Sequence, residues 1–157
     1  MKSRICLLLA AAALSTAAWA QVPPYGPNVT LEQAKKAMAA AEAEARKNSW
    51  RVAIAITDTA GNLVMYQRLD DTQTGSVQIA IDKAASSAMY RRPTKAFQDE
   101  LTRGADGLRV LTFPKSSHAD GGLPIVADGK IIGGIGASGV LGNQDAQVAK
   151  AGADALK

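Results

Sequence analysis

The stretch from Gly121 to Gly139 reads GGLPIVADGKIIGGIGASG, and it decides the fold. An Asp-Gly pair in its middle separates two short apolar runs, which is the strongest local signal for a β-hairpin. The second run is interrupted by glycines, and glycine inside a strand is typical of a place where another backbone or a ligand comes close. We therefore expect strands over residues 123–127 and 130–137, the second one closely approached by a helix or a ligand.

The patterns on either side of this hairpin predict the rest of the domain. Residues 52–57 alternate large and small apolar side chains, as expected of a strand with both faces covered. The predicted elements, in order, are a helix over 31–48, strands over 52–57 and 63–68, a helix from Gly75 to near Arg91, a short helix from Thr94 to about Thr102, a strand over 109–113, the hairpin above, and a last helix capped by Asn143. Because the strands come in hairpins, we predict the α+β class: an antiparallel sheet of about five strands with helices packed on it.

The N-terminus has the three-part layout of a secretory signal peptide. Lys2 and Arg4 precede an apolar run over residues 5–14, and Ala18-Trp19-Ala20 follows as a small-x-small cleavage site. The apolar run is too short to span the roughly 30 Å hydrocarbon core of a bilayer. We therefore expect cleavage, no stable insertion in the membrane afterwards, and a periplasmic or secreted destination.

The remaining 137 residues of the 157 fit one domain. Loss of Lys2 and Arg4 would reduce the formal net charge from +4 to +2, too small a surplus to indicate a nucleic-acid partner. The single cysteine, Cys6, would leave with the signal peptide, so no disulfide is expected. The predicted division is a signal peptide over 1–20, a flexible leader over 21–29 and a globular domain over 30–157.

A group of cations near the second helix is the first candidate site. Lys83, Ser87 and Arg91 are four residues apart and would share one line of that helix, and Arg92 and Thr94 follow directly. Cations beside the free amide hydrogens of a helix N-terminus are typical of a site for a carboxylate or phosphate. The same spacing is also typical of a solvated helix face.

His118, the only histidine, lies in the segment PKSSHADGG before the double glycine. A loop histidine can bind haem iron or another metal, or transfer a proton near neutral pH. With no second histidine and no cysteine left, the sequence offers no ligand set for zinc. The alternative is an exposed histidine without a role.

The segment GIGASG at 134–139 matches the G-x-G-x-x-G pattern of dinucleotide-binding folds. That pattern requires a following helix, a second parallel strand and an acidic residue about 20 positions on. Here the preceding strand belongs to a hairpin and eighteen residues remain to the end. We therefore interpret the glycines as a strand that a helix crosses closely.

Three segments together resemble the GlcG/HbpS family of haem-binding and haem-degrading domains, which is similar to the C-terminal part of PduO-type proteins. They are IDKAASSAMYRRPTKAF, GGLPIVADGKIIGGIGASG and QDAQVAKAGADAL. The resemblance extends from Thr30 onward and implies an antiparallel sheet with helices, assembled into homo-oligomers. It also implies haem as cofactor, in some members with slow haem degradation or a redox-sensing role. Lys83, Arg92, Thr94, Gly121 and Gly122 lie in the recurring motifs, whereas His118 lies outside them.

The leading hypothesis is therefore an exported haem-binding protein. One alternative is an enzyme or sensor for a small organic anion such as a 2-hydroxy acid, and another is a ligand-free oligomeric interaction subunit. The residues expected to hold the cofactor are Lys83, Arg91, Arg92, Thr94, Gly121 and Gly122, with His118 as the expected iron ligand.

Overall fold

The computed structural model describes residues 22–157, and in it a four-stranded sheet carries helices on both faces. The predicted α+β class is confirmed. The signal peptide expected over residues 1–20 lies outside the described residues. The elements, in chain order, are α1 (Leu31–Lys47), β1 (Ala53–Thr57), β2 (Leu63–Arg68), α2 (Ser76–Met89), α3 (Lys95–Glu100), a 3-10 helical segment (Leu101–Thr112), β3 (Gly122–Ala127), β4 (Lys130–Ser138) and α4 (Gly142–Asp154).

The sheet is antiparallel throughout, in the order β2-β1-β4-β3. The predicted hairpin at the centre of the deciding stretch is confirmed: β3 and β4 are joined by Asp128 and Gly129, whose φ angles are 49° and 71°. Two adjacent positive φ angles are the requirement of the tight hairpin turn that an Asp-Gly pair favours. β4 then lies between β3 and β1, so the glycine-rich strand is central in the sheet.

The alternation in β1 assigns its side chains to two different faces. Ile54 and Ile56 point to the face covered by α1 and α4 and belong to the main core. Ala53 and Ala55 point to the other face and pack against Ala80 and Ala84 of α2. The sheet therefore has one face with large aliphatic side chains and one face with small ones.

On the face with small side chains, α2 crosses β4 so closely that there is no room for a Cβ on the strand. A Cβ added to Gly134 would lie 2.2 Å from the carbonyl oxygen of Ala84, and one added to Gly136 would lie 2.2 Å from that of Ala80. Both distances are shorter than any real Cβ contact. The interpretation of the glycines as a strand closely crossed by a helix is confirmed.

The structure differs from the predicted elements in the connecting regions. Of the strand expected over 109–113, residues 109–112 belong to the 3-10 segment, so the sheet has four strands rather than about five. The two fully buried residues of that segment, Gly107 and Val110, are three positions apart, which is the period of a 3-10 helix and not of a strand. α4 begins at Gly142, so Asn143 lies within its first turn instead of capping it.

The segment before α1 pairs with part of β4. The N–H of Gly26 donates to the carbonyl of Ile131 at 2.8 Å, the N–H of Ile131 donates to Pro24 at 2.8 Å, and that of Val29 donates to Ile132 at 2.7 Å. β1 pairs only with residues 134–138 of β4, so this segment continues the sheet beyond the end of β1. The stretch expected as a flexible leader thus contributes backbone hydrogen bonds to the domain.

Candidate ligand-binding cleft

A buried ion pair joins α2 to α4 behind the candidate site. Lys83 Nζ donates to Asp145 Oδ2 at 2.8 Å and to the Ala137 carbonyl at 3.0 Å, and the two side chains are 2% and 4% exposed. Burial raises the pKa of the Asp145 carboxyl, and the Lys83 ammonium opposes that rise. Asp145 also accepts the N–H of Val140, so the pair fixes the first turn of α4 against the end of β4.

The double glycine closes over this ion pair. Gly121 has a φ of 119°, and a Cβ there would lie 2.9 Å from Lys83 Nζ and 2.7 Å from Asp145 Cβ. A Cβ on Gly122 would lie 2.4 Å from the carbonyl oxygen of Lys83. The two glycines are therefore needed for close packing around Lys83, which explains their presence without a ligand contact.

Thr94 connects α3 to the same double glycine. Its N–H donates to the Gly122 carbonyl at 3.0 Å, and its Oγ1 accepts the Gly122 N–H at 2.9 Å. The Thr94 side chain does not cap α3, because its hydroxyl oxygen accepts from Gly122 of β3 and not from the free amides of the helix. The reciprocal bonds hold the start of α3 against the start of β3.

An open cleft with a volume of about 590 Å³ lies between α3 and α4, within the roughly 300–1,000 Å³ typical of small-molecule sites. Its apolar lining comes from both helices and the sheet, and charged and amide side chains stand around it. The lining residues are Pro93, Lys95, Ala96, Asp99, Asp120, Leu123, Asn143, Ala146, Gln147 and Lys150. A second groove of about 280 Å³ shares Leu123 and Lys150 and continues along β3 past Pro124 and Val126.

Two lysines stand on opposite walls of this cleft. Lys95 of α3 donates to Asp99 at 2.6 Å, and Lys150 of α4 donates to Asp154. The hydrogen bond that Lys95 donates to Asp99 raises the pKa of Lys95, so that ammonium is charged at neutral pH. Both ion pairs are exposed to solvent, where such pairs are weak and exchange readily with other anions. The cleft can therefore receive an apolar molecule with negatively charged ends.

The structure does not bring the predicted site residues together on one surface. Lys83 is buried, and the Ser87 hydroxyl donates to the Ala84 carbonyl within α2. α2 ends at Met89, two residues before Arg91, which has a φ of 53° and lies outside the helix. The expected line of Lys83, Ser87 and Arg91 along one exposed helix face is therefore wrong.

Arg91 and Arg92 are exposed, and each stacks on an aromatic ring. The Arg91 guanidinium lies 5.4 Å from the Tyr25 ring centroid, and that of Arg92 lies 5.6 Å from the Phe97 centroid. Neither arginine lines the cleft, but Arg92 immediately precedes Pro93 at its edge. Three of the predicted cofactor residues, Thr94, Gly121 and Gly122, do not line the cleft but hold α3 and β3 in position next to it.

His118 packs on the side of α3 that faces away from the cleft. Its ring contacts Phe97 edge-on, with centroids 6.0 Å apart, and Phe97 is fully buried. The His118 Nε2 atom lies 3.1 Å from the Val110 carbonyl oxygen and 3.1 Å from Ser116 Oγ. A carbonyl oxygen only accepts hydrogen bonds, so Nε2 carries a proton in this arrangement.

Sequence reasoning missed the helical residues that line the cleft. Lys95, Ala96 and Asp99 form one face of α3, and Ala146 and Lys150 form one face of α4. The four-residue spacing of Ala146 and Lys150 was a usable signal for a shared helix face. Nothing local in the sequence shows that the two faces oppose each other.

Clusters of metal-binding side chains and membrane-spanning helices are both absent from residues 22–157. No three His, Cys, Asp or Glu side chains of this part of the chain lie close enough together to hold a metal ion. None of the helices that the structure describes is long and apolar enough to cross a membrane.

Comparison with known proteins gives a consistent result. The family model described as haem degrading protein HbpS-like matches residues 29–154. Protein GlcG of Escherichia coli K12 is 41% identical over 107 residues, which are 68% of this chain and 78% of GlcG. The crystal structure of HbpS superposes with a TM-score of 0.77 at 32% identity, covering 84% of this chain and 92% of HbpS. A crystal structure of a PduOC–haem complex gives a TM-score of 0.75 at 26% identity, covering 83% and 96%.

Proposed function

The chain belongs to the HbpS-like family, and on that premise we propose that it binds haem in the cleft between α3 and α4. The observation that carries the proposal is the pairing of an apolar cleft with two lysines on opposite walls. Haem is a flat apolar macrocycle with two carboxylates, so its shape and charge match this arrangement. The PduOC–haem complex, which shares the fold, supports the proposal.

The residues of the cleft suit the macrocycle in a specific way. Leu123 of β3, Ala96 of α3 and Ala146 of α4 all contribute apolar surface to the cleft, which an apolar ring would contact. Burial of apolar surface contributes about 25 cal/mol per Å², which makes the macrocycle the main source of affinity. The propionates would replace Asp99 and Asp154 as partners of Lys95 and Lys150, since both exposed pairs exchange at little cost.

A titration with matched variants tests the site. Purified protein is titrated with haem, and the Soret band reports binding. Lys95→Ala/Lys150→Ala is expected to weaken binding by about tenfold, because two exposed charge pairs contribute about 1 kcal/mol or slightly more together. The control, Lys35→Ala/Lys36→Ala, removes two exposed charges from α1 and is expected to bind as the wild type does.

A second variant tests the apolar part of the cleft. Ala146→Phe places a ring in the space between the helices and is expected to abolish the Soret shift. Ala39→Phe, at an exposed position of α1, is the control for adding an aromatic side chain. Wild-type binding by Ala146→Phe would exclude this cleft as the haem site, and no saturable shift in the wild type would exclude haem binding itself.

Haem degradation, a redox-sensing role and export are the finer parts of the proposal. The description of the family supports degradation, which would consume haem in the presence of oxygen and a reductant. Loss of the Soret band with release of iron, at a rate that depends on protein concentration, would support it.

Export is supported by the signal-like pattern of residues 1–20, and N-terminal sequencing of protein from the periplasm or medium tests cleavage before Gln21. Light scattering tests the expected homo-oligomer.

The small-anion alternative receives less support from the arrangement of charges. Like the haem hypothesis, it placed an anion on the cations along α2, and that line does not exist as a surface because Lys83 is buried against Asp145. The apolar lining of the cleft favours the larger ligand. Binding of a 2-hydroxy acid that survives Ala146→Phe, in a protein that fails to bind haem, would favour it.

A further inference from the structure

The proposed haem cleft lacks the side chains that normally hold haem iron. Those side chains are His, Cys, Met and Tyr. None of them is among the ten residues that line the cleft, nor among the seven that line the adjoining groove along β3. This holds for the described residues, 22–157, from which both linings are formed. The cleft therefore suits the macrocycle and the carboxylates of haem but not its metal.

The other polar side chains of the lining are carboxylates, amides and lysines, which are not among the side chains that normally hold haem iron. Asp99 accepts from Lys95, and Asp120 Oδ1 accepts the N–H of Gly121 at 2.8 Å. The lysine ammonium groups are charged donors without a free lone pair. The cleft thus presents charge to the carboxylates of a ligand and apolar surface to its ring.

His118, the expected iron ligand, is separated from the cleft by α3. Lys95, Ala96 and Asp99 form the cleft side of α3, whereas Phe97 lies about 150° around the helix from their mean direction. His118 packs on Phe97, and its Nε2 proton is donated to Val110. Moving the imidazole into the cleft would break that hydrogen bond and the contact with Phe97.

We propose that the cleft recognises dicarboxylate tetrapyrroles by ring and carboxylates alone, so that metal-free protoporphyrin binds about as tightly as haem. This inference rests on the proposed haem site and narrows its ligand class. The protein then recognises the apolar ring and the two carboxylates of the ligand, and no residue of 22–157 that lines the cleft or the groove is of a kind that normally holds haem iron.

The test compares the two ligands on the same full-length protein. Haem binding is followed by the Soret band, and protoporphyrin IX binding by porphyrin fluorescence. We expect the dissociation constants of haem and protoporphyrin IX to lie within tenfold of each other. We also expect Lys95→Ala/Lys150→Ala to raise both. Protoporphyrin IX binding more than tenfold weaker than haem would overturn the inference while leaving haem binding intact. Failure of both ligands to bind would overturn the proposed function as well.

Variants of His118 give a second readout. His118→Gln keeps an N–H donor for the Val110 carbonyl, and His118→Ala removes it. Both variants are expected to bind ferric haem with the Soret maximum of the wild type. A shifted or lost maximum in both variants, with unchanged circular dichroism, would show that His118 is an iron ligand and would overturn the inference.

Discussion

The two faces of the sheet are stabilised in different ways. Toward α1 and α4, β1 and β4 present large side chains such as Ile54, Ile56 and Ile135, and the packing depends on apolar volume. Toward α2, the same strands present Ala55 and Gly136, and the packing depends on a short distance between backbones. We therefore expect the face toward α1 and α4 to tolerate the loss of a methylene group. The face toward α2 should not tolerate an added methyl group, because the backbones leave no room for it.

The close face also determines the geometry of the candidate site. Because α2 lies so near β4, Lys83 reaches past the strand to Asp145 and fixes the start of α4. The carbonyl of Lys83 packs against Gly122, which is held to Thr94 at the start of α3. The two helices that form the cleft are therefore both positioned through the small-residue face.

The largest effect is expected from breaking the buried ion pair. Lys83→Met leaves the Asp145 carboxylate buried without its partner, which should reduce the free energy of unfolding by about 3–5 kcal/mol. Urea unfolding followed by circular dichroism measures it. Lys95→Met, which breaks an exposed Lys–Asp pair, is the control and should cost less than about 1 kcal/mol.

The pH dependence of Lys83→Met provides an independent check. Burial raises the pKa of Asp145, and removal of Lys83 removes the charge that opposes this rise. The folded variant then holds a proton that the unfolded chain releases, so its stability is greatest below the unfolded pKa and falls as pH rises through the folded pKa. The difference in unfolding free energy between wild type and Lys83→Met should therefore shrink as pH falls, and a difference that does not shrink would contradict this account.

The second prediction adds one methyl group to the close face. Gly136→Ala places a Cβ 2.2 Å from the Ala80 carbonyl and 2.6 Å from the Ala84 amide, so α2 must move away. We expect a loss of about 3 kcal/mol in the free energy of unfolding. Gly75→Ala, at a position with nothing within 4 Å, should be neutral or stabilising by about 0.4–1 kcal/mol. Equal changes in unfolding free energy for the two variants would mean that backbone entropy, and not the close approach of α2, accounts for glycine at position 136.

The third prediction compares neighbouring residues of β1 directly. Ala55→Val adds volume on the α2 face and should cost about 2 kcal/mol by overpacking. Ile54→Val removes one methylene from the opposite face and should cost about 1 kcal/mol. Chemical denaturation of both variants measures the difference. A larger loss in Ile54→Val than in Ala55→Val would invert the proposed distinction between the faces.

The sequence was sufficient for features that depend on local patterns. The Asp128-Gly129 turn and the alternation over 52–57 are set by neighbouring residues, and both were predicted correctly. The glycines of β4 correctly indicated a close crossing, although not which helix makes it. The strand predicted over 109–113 was wrong, because the buried residues Gly107 and Val110 are three positions apart, which is the period of a 3-10 helix and not of a strand.

The candidate site depends on contacts between distant residues, which spacing does not show. Lys83 and Asp145 are 62 positions apart, and Lys95 and Lys150 oppose each other only once α3 and α4 are in place. The four-residue spacing of Lys83, Ser87 and Arg91 was misleading, because α2 ends two residues before Arg91. Basic residues near a helix could therefore be identified, but their burial and their partners could not.

The smallest expected effect lies at the margin of the close face, where the β1–β2 turn touches α2. Gly61 of this turn packs near Met89, and Asp58 holds the turn by accepting the N–H groups of Ala60 and Asn62 at 2.9 and 2.8 Å. Partial burial raises the pKa of Asp58, but the hydrogen bonds from Asn62, Ala60 and Gly61 outweigh it and hold that pKa below its usual range. Asp58→Asn should therefore cost about 1 kcal/mol or less at pH 7.

This last effect has a defined pH dependence. Because the pKa of Asp58 is lower in the folded chain, its contribution is complete above the unfolded value of about 3.9 and is lost as pH falls through the folded value. The stability difference between wild type and Asp58→Asn should thus shrink below about pH 4, with Asp106→Asn as the control for loss of one exposed charge. A stability difference that stays constant to pH 2 would mean that the ionised Asp58 carboxylate does not hold the turn against α2.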